Sequence, residues 1–325
     1  MFLRSKRKFC CFYMDKKKKS ARFVCIYIEY NRSAYSLSSE SEAAPGIAFS
    51  AIVKRACALR FSLPAHSEYT LGRKPNGALT AMTVFTYNGD ARIAAAKAAL
   101  EKKQDGRRIH ILPIPTRADE GVERALLGAL QSGDLVCAYA PPPPLTEAIR
   151  ARGAHLFNAE GDEGFIGENA TLTAEITLGY ILSLPRAPAD LSVGIIGYGR
   201  IGQALCRMLL FFGARVRVFT GRKETRAALG EAGIESRPIR YEAGEAIDLS
   251  GIDLLIQTAP AKVFTKENAP PCPLWNLAAA PFVGEGVAVR QLSALPAKVT
   301  YESGGLALAR AVLRFFETEN ERKTL

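Results

Sequence analysis

The chain has 325 residues and a formal net charge of +11, with 43 Lys and Arg against 32 Asp and Glu. A hydrophobic content of 48% and a mean hydropathy of +0.02 are typical of a globular protein. Residues 1–81 hold 15 of the basic and 5 of the acidic residues, so the rest of the chain is almost neutral. This distribution excludes a strongly basic surface that would attract phosphate groups to the main body of the chain. We therefore expect neither nucleic acid nor membrane as its partner.

Residues 1–81 form a basic leader that contains four of the seven cysteines. Three interpretations stay open: a translated upstream region with the true start at Met82, a disordered basic tail, or a small structured element. The apolar run at residues 23–28 is too short to cross a bilayer or to act as a secretory signal. The other three cysteines lack the spacing of a metal site or a disulfide framework, and we expect a cytoplasmic protein without a metal.

Residues 82–170 alternate strand and helix patterns, which predicts an N-terminal Rossmann-like α/β domain. Its strands are expected at 83–87, 108–112, 135–138 and 155–157, and its helices at 91–103, 119–131 and 145–152. A largely apolar segment at 171–184 predicts a helix that links this domain to the next, because Pro185 follows it directly.

Residues 185–302 predict a second Rossmann domain, one that binds NAD(P). Strands are expected at 191–196, 215–219, 236–239, 253–257, 274–277 and 298–301, and helices at 200–212 and 224–232. Six strands is the number in the dinucleotide-binding fold. Residues 303–325, with a helix at 306–316, are expected to return to the first domain. The predicted fold class is therefore α/β, with two Rossmann-like domains with parallel sheets joined by a crossing helix.

A glycine-rich motif follows the first strand of the second domain. It reads Gly197-Tyr198-Gly199-Arg200-Ile201-Gly202 and fits G-x-G-x-x-G between an apolar strand and an amphipathic helix. Gly197 would make the tight turn, Gly199 would let a pyrophosphate approach the backbone, and Gly202 would let the helix pack against the strand. The helix N-terminus would supply N–H groups to the phosphates. The alternative is a glycine-rich turn that holds no ligand.

The end of the second strand bears on which dinucleotide is bound. NAD-binding domains usually carry Asp or Glu there for the ribose 2′-hydroxyl, and this chain has none at 218–223. Thr220, Arg222 and Lys223 could instead donate to a 2′-phosphate, which favours NADP over NAD. The alternative is that Arg222 and Lys223 are solvated turn residues.

Two further loops are expected at the carboxyl edge of the same sheet, where the cofactor crevice lies. Thr258, Ala259 and Pro260 follow the fourth strand, and residues 276–278 end the fifth. Ordinary turn chemistry explains both segments equally well.

The domain order suggests D-2-hydroxyacid dehydrogenases, which use a histidine as general acid or base. That histidine should follow the glycine motif. The three histidines of this chain, His66, His110 and His155, all precede Gly197. We therefore do not expect the simple hydroxyacid mechanism.

Several short segments, in the same order, resemble the family of the dipicolinate synthase A subunit over roughly residues 82–318. They are residues 88–92 (Asn-Gly-Asp-Ala-Arg), 111–113, 120–122, 169–175, the motif at 197–202, 213–214, 257–260 and 276–278. Each segment is short, and their common order makes the resemblance moderately specific.

The resemblance implies an NAD(P)-dependent oxidation of a dihydrodipicolinate-type ring to pyridine-2,6-dicarboxylate during sporulation. It also implies a flavoprotein-like second subunit, and we expect an oligomer. A small dicarboxylate substrate needs cationic or N–H-rich anchors, which Arg92 and the turn at Gly89 could supply, with Thr173 as a hydroxyl donor. Glu175 could act as general base, although a glutamate on a linking helix is more often solvated.

Two segments depart from the family pattern. Where the family has an arginine and paired glycines, residues 279–282 read Ala-Ala-Pro-Phe, and the glycine-rich loop before the last helix is shortened to residues 302–305. Other functions therefore stay open: a non-catalytic dinucleotide-binding subunit, a dehydrogenase for a different small carboxylic acid, or a protein whose basic leader binds nucleic acid or an anionic membrane.

Overall fold

The computed structural model describes residues 5–15, 20–30, 80–87, 90–117, 119–278 and 284–324. The chain divides into two units, 1–76 and 77–325. In the first unit, β1 (Ser5–Asp15) and β2 (Ser20–Tyr30) pair in antiparallel register. Apart from these two strands and residues 80 and 81, the predicted leader lies outside the described residues.

The second unit begins with a four-stranded sheet whose strands are all parallel and lie side by side in chain order. Its strands are β3 (Thr83–Thr86), β4 (Arg108–Ile111), β5 (Leu135–Ala138) and β6 (His155–Asn158), and its helices are α1 (Ala91–Leu100), α2 (Glu120–Ala129) and α3 (Pro143–Ala151). Asp90 and Asp119 begin α1 and α2, because each carboxylate accepts hydrogen bonds from backbone N–H groups of the first turn. Every predicted element of this domain is present, with ends shifted by a few residues.

A single long helix, α4 (Glu163–Leu182), joins the two domains. It begins eight residues before the predicted start, because Asp162 caps it by accepting a 2.6 Å hydrogen bond from the Phe165 nitrogen. Phe165 packs in the core of the first domain, whereas Ile176 and Ile181 pack in the core of the second. The predicted crossing helix is therefore confirmed.

The second sheet has six parallel strands with β7 and β10 at its centre. Its strands are β7 (Ser192–Ile196), β8 (Arg215–Phe219), β9 (Glu235–Arg237), β10 (Leu254–Gln257), β11 (Leu274–Asn276) and β12 (Arg290–Gln291), and its helices are α5 (Arg200–Phe211), α6 (Lys223–Glu231), α7 (Leu295–Lys298) and α8 (Tyr301–Thr324). The spatial order is β12-β11-β10-β7-β8-β9. Numbered within the domain and taken from the β9 edge, this is 3-2-1-4-5-6, the order of doubly wound dinucleotide-binding sheets. The two α/β domains confirm the predicted fold class.

The strand predicted at 298–301 is wrong. Those residues join α7 to α8, and the sixth strand is β12, which pairs with β11 through Arg290 opposite Trp275 and Gln291 opposite Asn276. A short β-branched and aromatic run does not by itself distinguish a strand from a helix end. Pro296, at the start of α7, favours the helix because it needs no N–H partner there.

The last helix, α8, returns to the first domain and packs against α1. Its buried face contributes Ala307, Leu308, Ala311 and Val312 to the core that also contains β3 and β4. Residues 302–305, expected to be a shortened loop, lie in the first turns of α8 instead. A Cβ on Gly305 would lie 2.5 Å from the carbonyl oxygen of Arg92, so glycine is what allows the two helices to approach this closely.

Among the described residues, no helix has both the length and the apolar character needed to cross a membrane. Within the same part of the chain, no group of three His, Cys, Asp or Glu side chains is arranged to hold a metal ion.

Candidate functional site

The turn between β7 and α5 combines one open glycine with two tightly packed ones. Gly197 has a φ of +93°, and a Cβ there would lie 2.9 Å from the Ala259 nitrogen. A Cβ on Gly202 would collide with the carbonyl oxygen of Gly197. Gly199, by contrast, has no atom within 4 Å of its Cβ position. The turn therefore needs glycine at 197 and 202 for its own geometry, and it leaves the backbone at 199 open to a ligand.

A cleft of about 390 Å³ opens in front of this turn. It lies where β7 and β10 are neighbours and the strand order reverses, which is where ligands bind in open α/β sheets. Its walls are formed by Gly197, Tyr198, Gly199, Thr220, Arg222, Tyr241, Thr258, Ala259, Pro260 and Ala261. None of these ten residues carries a carboxylate, and the one formal charge among them is the Arg222 guanidinium.

The structure brings most of the predicted cofactor residues to this cleft. Thr220 is buried at the end of β8, and its hydroxyl oxygen lies 3.4 Å from the Arg222 nitrogen that donates to it. Arg222 is exposed and lines the cleft, whereas Lys223 begins α6 and does not line it. The Thr258 hydroxyl lies 3.1 Å from the carbonyl oxygens of Ile196 and Gly197 and so links the β10 loop to the glycine turn.

Two motif residues contact the protein rather than the cleft. Arg200 donates to both carboxylate oxygens of Glu163, at 2.6 and 2.7 Å, and so joins the start of α5 to the start of α4. Ile201 packs against the core of the second domain.

The loop after β11 is buried, is held by side-chain hydrogen bonds, and does not line the cleft. Asn276 donates to Gln291 at 2.8 Å, and Gln291 donates to the Ala278 carbonyl at 2.9 Å. These bonds hold β12 against β11. A purely structural role is therefore enough to explain residues 276–278. Residues 279–282, where the family pattern is lost, lie outside the described residues.

Arg92 is buried in the first domain beneath α8. Its Nη2 donates to Asp90 at 2.9 Å and to the Ile114 carbonyl at 3.4 Å. Its Nε has no hydrogen-bond partner among the described residues, and only 6% of the residue is exposed. A buried donor without a partner is uncommon in folded proteins, which makes the Nε–H of Arg92 a candidate contact for an anion that reaches it. Gly89, predicted to act with Arg92, lies outside the described residues.

Tyr139, at the carboxyl end of β5, is a candidate that sequence reasoning missed. Burial raises the pKa of its phenol and so does the nearby Glu160, while Arg200 and Arg92 oppose the shift. The pKa of the phenol is therefore affected by cations of both domains, Arg92 of the first and Arg200 of the second. Only the fold brings these three residues near one another, and the sequence carries no signal for it.

Thr173 and Glu175 lie on α4, away from the glycine turn. Thr173 is buried, and its hydroxyl donates to the Asn169 carbonyl of the preceding turn at 2.8 Å. Glu175 is on the exposed side of the helix, although partial burial raises the pKa of its carboxyl. It lies about 18 Å along the helix from Glu163, the residue that reaches Arg200. The structure therefore does not bring these two residues to the cleft.

A buried polar network anchors the end of β3, from which the Asp90 segment departs. The Tyr87 hydroxyl lies 2.7 Å from His110 Nδ1, and His110 Nε2 lies 2.8 Å from Asp134, which also accepts from Arg108 at 3.0 Å. An ionised Asp134 accepts from Nε2–H, which leaves Nδ1 to accept from Tyr87. The network links β4 to the residue that follows β3 and to the residue that precedes β5.

We expect the stability of the chain to fall between pH 7.5 and pH 5.5 because of His110. Burial lowers the pKa of His110 below its usual value, and Asp134 only partly opposes this. Between the two pKa values the unfolded chain binds more protons, so stability falls as the pH falls, by at most about 1.4 kcal/mol per pH unit. Burial would raise the pKa of Asp134, but hydrogen bonds from Gln131, His110 and Arg108 lower it, so Asp134 stays ionised in this range.

Urea unfolding midpoints at both pH values measure this effect. His110→Gln should lose most of the difference between the two midpoints, whereas His155→Gln, at an exposed histidine, should keep it. An unchanged pH dependence in His110→Gln would contradict the assignment.

The comparisons with known proteins identify the fold. No protein-family model matches the chain, and no curated protein matches its sequence. Among solved structures, the A subunit of dipicolinate synthase from Bacillus halodurans is 20% identical with a TM-score of 0.59, covering 74% of this chain and 99% of that chain. Its counterpart from Bacillus subtilis is 17% identical with a TM-score of 0.60, covering 75% and 99%.

A third solved structure is less similar and also shares the fold. A transhydrogenase from Sinorhizobium meliloti is 15% identical with a TM-score of 0.50, covering 73% of this chain and 92% of that chain. At these identities the likeness is one of fold: the chain shares a two-domain α/β architecture with the A subunits of dipicolinate synthase.

Proposed function

We propose that this chain is a nicotinamide-dinucleotide-dependent oxidoreductase similar to the dipicolinate synthase A subunit. The observation that carries the proposal is the glycine turn, in which the Gly199 backbone is open at the helix N-terminus while Gly197 and Gly202 are closely packed. The cleft at the strand-order reversal and the fold of the solved relatives support it. The bound nicotinamide would supply hydride chemistry, and the chain's own residues would position it.

The cofactor we favour is NADP. The cleft lining offers Arg222 and the Thr220 hydroxyl at the end of β8, and no carboxylate for a ribose 2′-hydroxyl. Arg226 adds a second guanidinium near this edge, since its Nη1 donates to the Thr220 carbonyl at 2.8 Å. Two guanidinium groups favour a phosphate over a hydroxyl.

The substrate we favour is a small dicarboxylate of the dihydrodipicolinate type, oxidised to the aromatic ring during sporulation with a flavoprotein-like second subunit. Arg92, whose Nε has no partner among the described residues, would anchor one carboxylate, and Tyr139 is near enough to Arg92 and Arg200 for both cations to act on its pKa. The same chemistry suits other small carboxylic acids.

One observation favours a second candidate function, a non-catalytic dinucleotide-binding subunit. Arg92 is already paired with Asp90, which neutralises much of its charge before any substrate arrives. Turnover of a dihydropyridine dicarboxylate by the full chain, with and without its second subunit, separates the two: nucleotide binding without turnover supports the non-catalytic role.

Calorimetric titration of the full chain with NADPH and NADH at equal ionic strength tests the proposal. We expect NADPH to bind at least about tenfold tighter, because a charge-assisted contact to the 2′-phosphate contributes roughly 1.5–3 kcal/mol. Arg222→Gln should remove most of this preference and leave NADH affinity unchanged. Lys223→Gln, just outside the cleft, is the matched control and should keep the preference.

The outcomes are distinct. Equal affinity for both nucleotides in the unaltered chain would reject the choice of NADP, and absence of binding by a folded chain would reject the dinucleotide site itself.

A further inference from the structure

One aromatic residue of the cleft lining lies beside the end of β8. Tyr241 comes from the long loop between β9 and β10 and lines the same cleft as Thr220 and Arg222. Its ring packs against the end of β8, where a Cβ on Gly221 would lie 3.2 Å from Tyr241 Cε2. The ring also packs against the apolar cluster that includes Ile196 and Phe219. Tyr241 is therefore packed into the wall of the cleft.

The backbone of Tyr241 has a conformation that aromatic residues rarely adopt. Its φ is +63°, in the left-handed region that favours glycine and asparagine. An aromatic side chain persists at such a position only when its surroundings hold it there, and such strain is concentrated at ligand sites. Glycine at 221 leaves room for the segment that carries Tyr241, because a Cβ at residue 221 would lie only 3.0 Å from the Ile239 carbonyl oxygen.

The cleft also offers small apolar groups. Ala259, Pro260 and Ala261 line it, and Gln257 holds this loop by donating to the Ala261 carbonyl at 2.6 Å. An aromatic ring and small apolar side chains in the lining of the same cleft suit a flat, neutral ring. Arg222 belongs to the same lining and would then meet the sugar and its phosphate.

We propose that Tyr241 binds the adenine base of the dinucleotide by stacking and so favours ligands that carry a base at this end over ligands that lack one. The inference rests on the proposed dinucleotide site and names the residue that recognises its base. Stacking is independent of the hydrogen-bonding edge of the base, so Tyr241 contributes equally to NADPH and NADH, while Arg222 distinguishes between them.

The test compares Tyr241→Asn and Tyr241→Phe in the full chain by calorimetry. Asparagine tolerates the left-handed backbone but removes the ring, and phenylalanine keeps the ring. We expect Tyr241→Asn to weaken NADPH and ADP-ribose binding by about tenfold, the usual effect of losing one aromatic–base stack. Tyr241→Phe should bind both like the unaltered chain, and reduced nicotinamide mononucleotide, which lacks adenine, should bind all three proteins equally.

Each outcome decides a different point. Unchanged ADP-ribose affinity in a folded Tyr241→Asn would overturn the stacking role. An equal loss for the mononucleotide would show a general effect on the cleft and would also overturn it. If the unaltered, folded chain binds neither NADPH nor ADP-ribose, the dinucleotide site itself fails and this inference fails with it.

Discussion

Gly199→Val should weaken dinucleotide binding by at least about 100-fold while the chain keeps its fold. A Cβ at this position meets no atom within 4 Å, and the backbone φ of −81° and ψ of −166° suits a β-branched residue. The valine methyl groups would occupy the space through which a pyrophosphate reaches the N–H groups of α5. Losing two charge-assisted hydrogen bonds of roughly 1.5–3 kcal/mol each corresponds to an affinity loss of at least about 100-fold.

Calorimetry with NADPH, together with a thermal unfolding midpoint, measures both halves of this result. Gly230→Val is the matched control, since Gly230 also has open space around its Cβ position but lies on α6, outside the cleft lining. Gly202→Val gives the contrasting result, a lower midpoint, because its side chain collides with the Gly197 carbonyl. Full affinity in Gly199→Val would show that no phosphate lies in front of this turn.

Gly305→Val should destabilise the chain by about 3 kcal/mol, the upper end of the usual range for overpacking. Its side chain would meet the Arg92 carbonyl oxygen at 2.5 Å, Ala95 Cβ at 2.6 Å and the Ala96 nitrogen at 2.8 Å. Two of these three are backbone atoms and cannot move aside as a side chain would. Helix α8 must therefore separate from α1, which also uncovers Arg92.

Urea unfolding of the full chain provides the measurement. Gly128→Val, on α2 with nothing within 4 Å of its Cβ position, makes the same change in an open helical site and should leave the midpoint nearly unchanged. Equal midpoints for Gly305→Val and the unaltered chain would contradict the close packing of α1 and α8.

The glycine turn could be predicted because its determinants are local. The strand before it is apolar, the helix after it is amphipathic, and Gly197 and Gly202 meet steric demands that arise within the turn or one strand away. The crossing helix was predictable for the same reason, although its observed start lies eight residues before the start that the apolar pattern predicts. The capping Asp162 lies in a glycine-containing stretch whose apolar pattern is weak, and Phe165 is helical partly because it packs in the first core.

The candidate site in the first domain depends on contacts that local sequence does not encode. Arg92 lies beneath Gly304, more than two hundred residues away along the chain, and Tyr139 senses Arg200 across the domain boundary. Thr173 and Glu175 lie within the family-like segment at 169–175, yet the direction of α4 places them away from the cleft. Which side chains share a site was decided by helix packing.

By itself, the sequence determined the α/β class, the two Rossmann-like domains, the helix between them and the glycine turn, because hydrophobic periodicity and glycine sterics act over a few residues. Only the tertiary structure decided that β12 is formed by Arg290–Gln291, that residues 302–305 are helical, and that Tyr241 lines the cleft. Each of these depends on a partner distant in sequence: β11 for β12, α1 for α8, and the end of β8 for Tyr241. Propensity is a weak guide wherever such a partner supplies the stabilising contact.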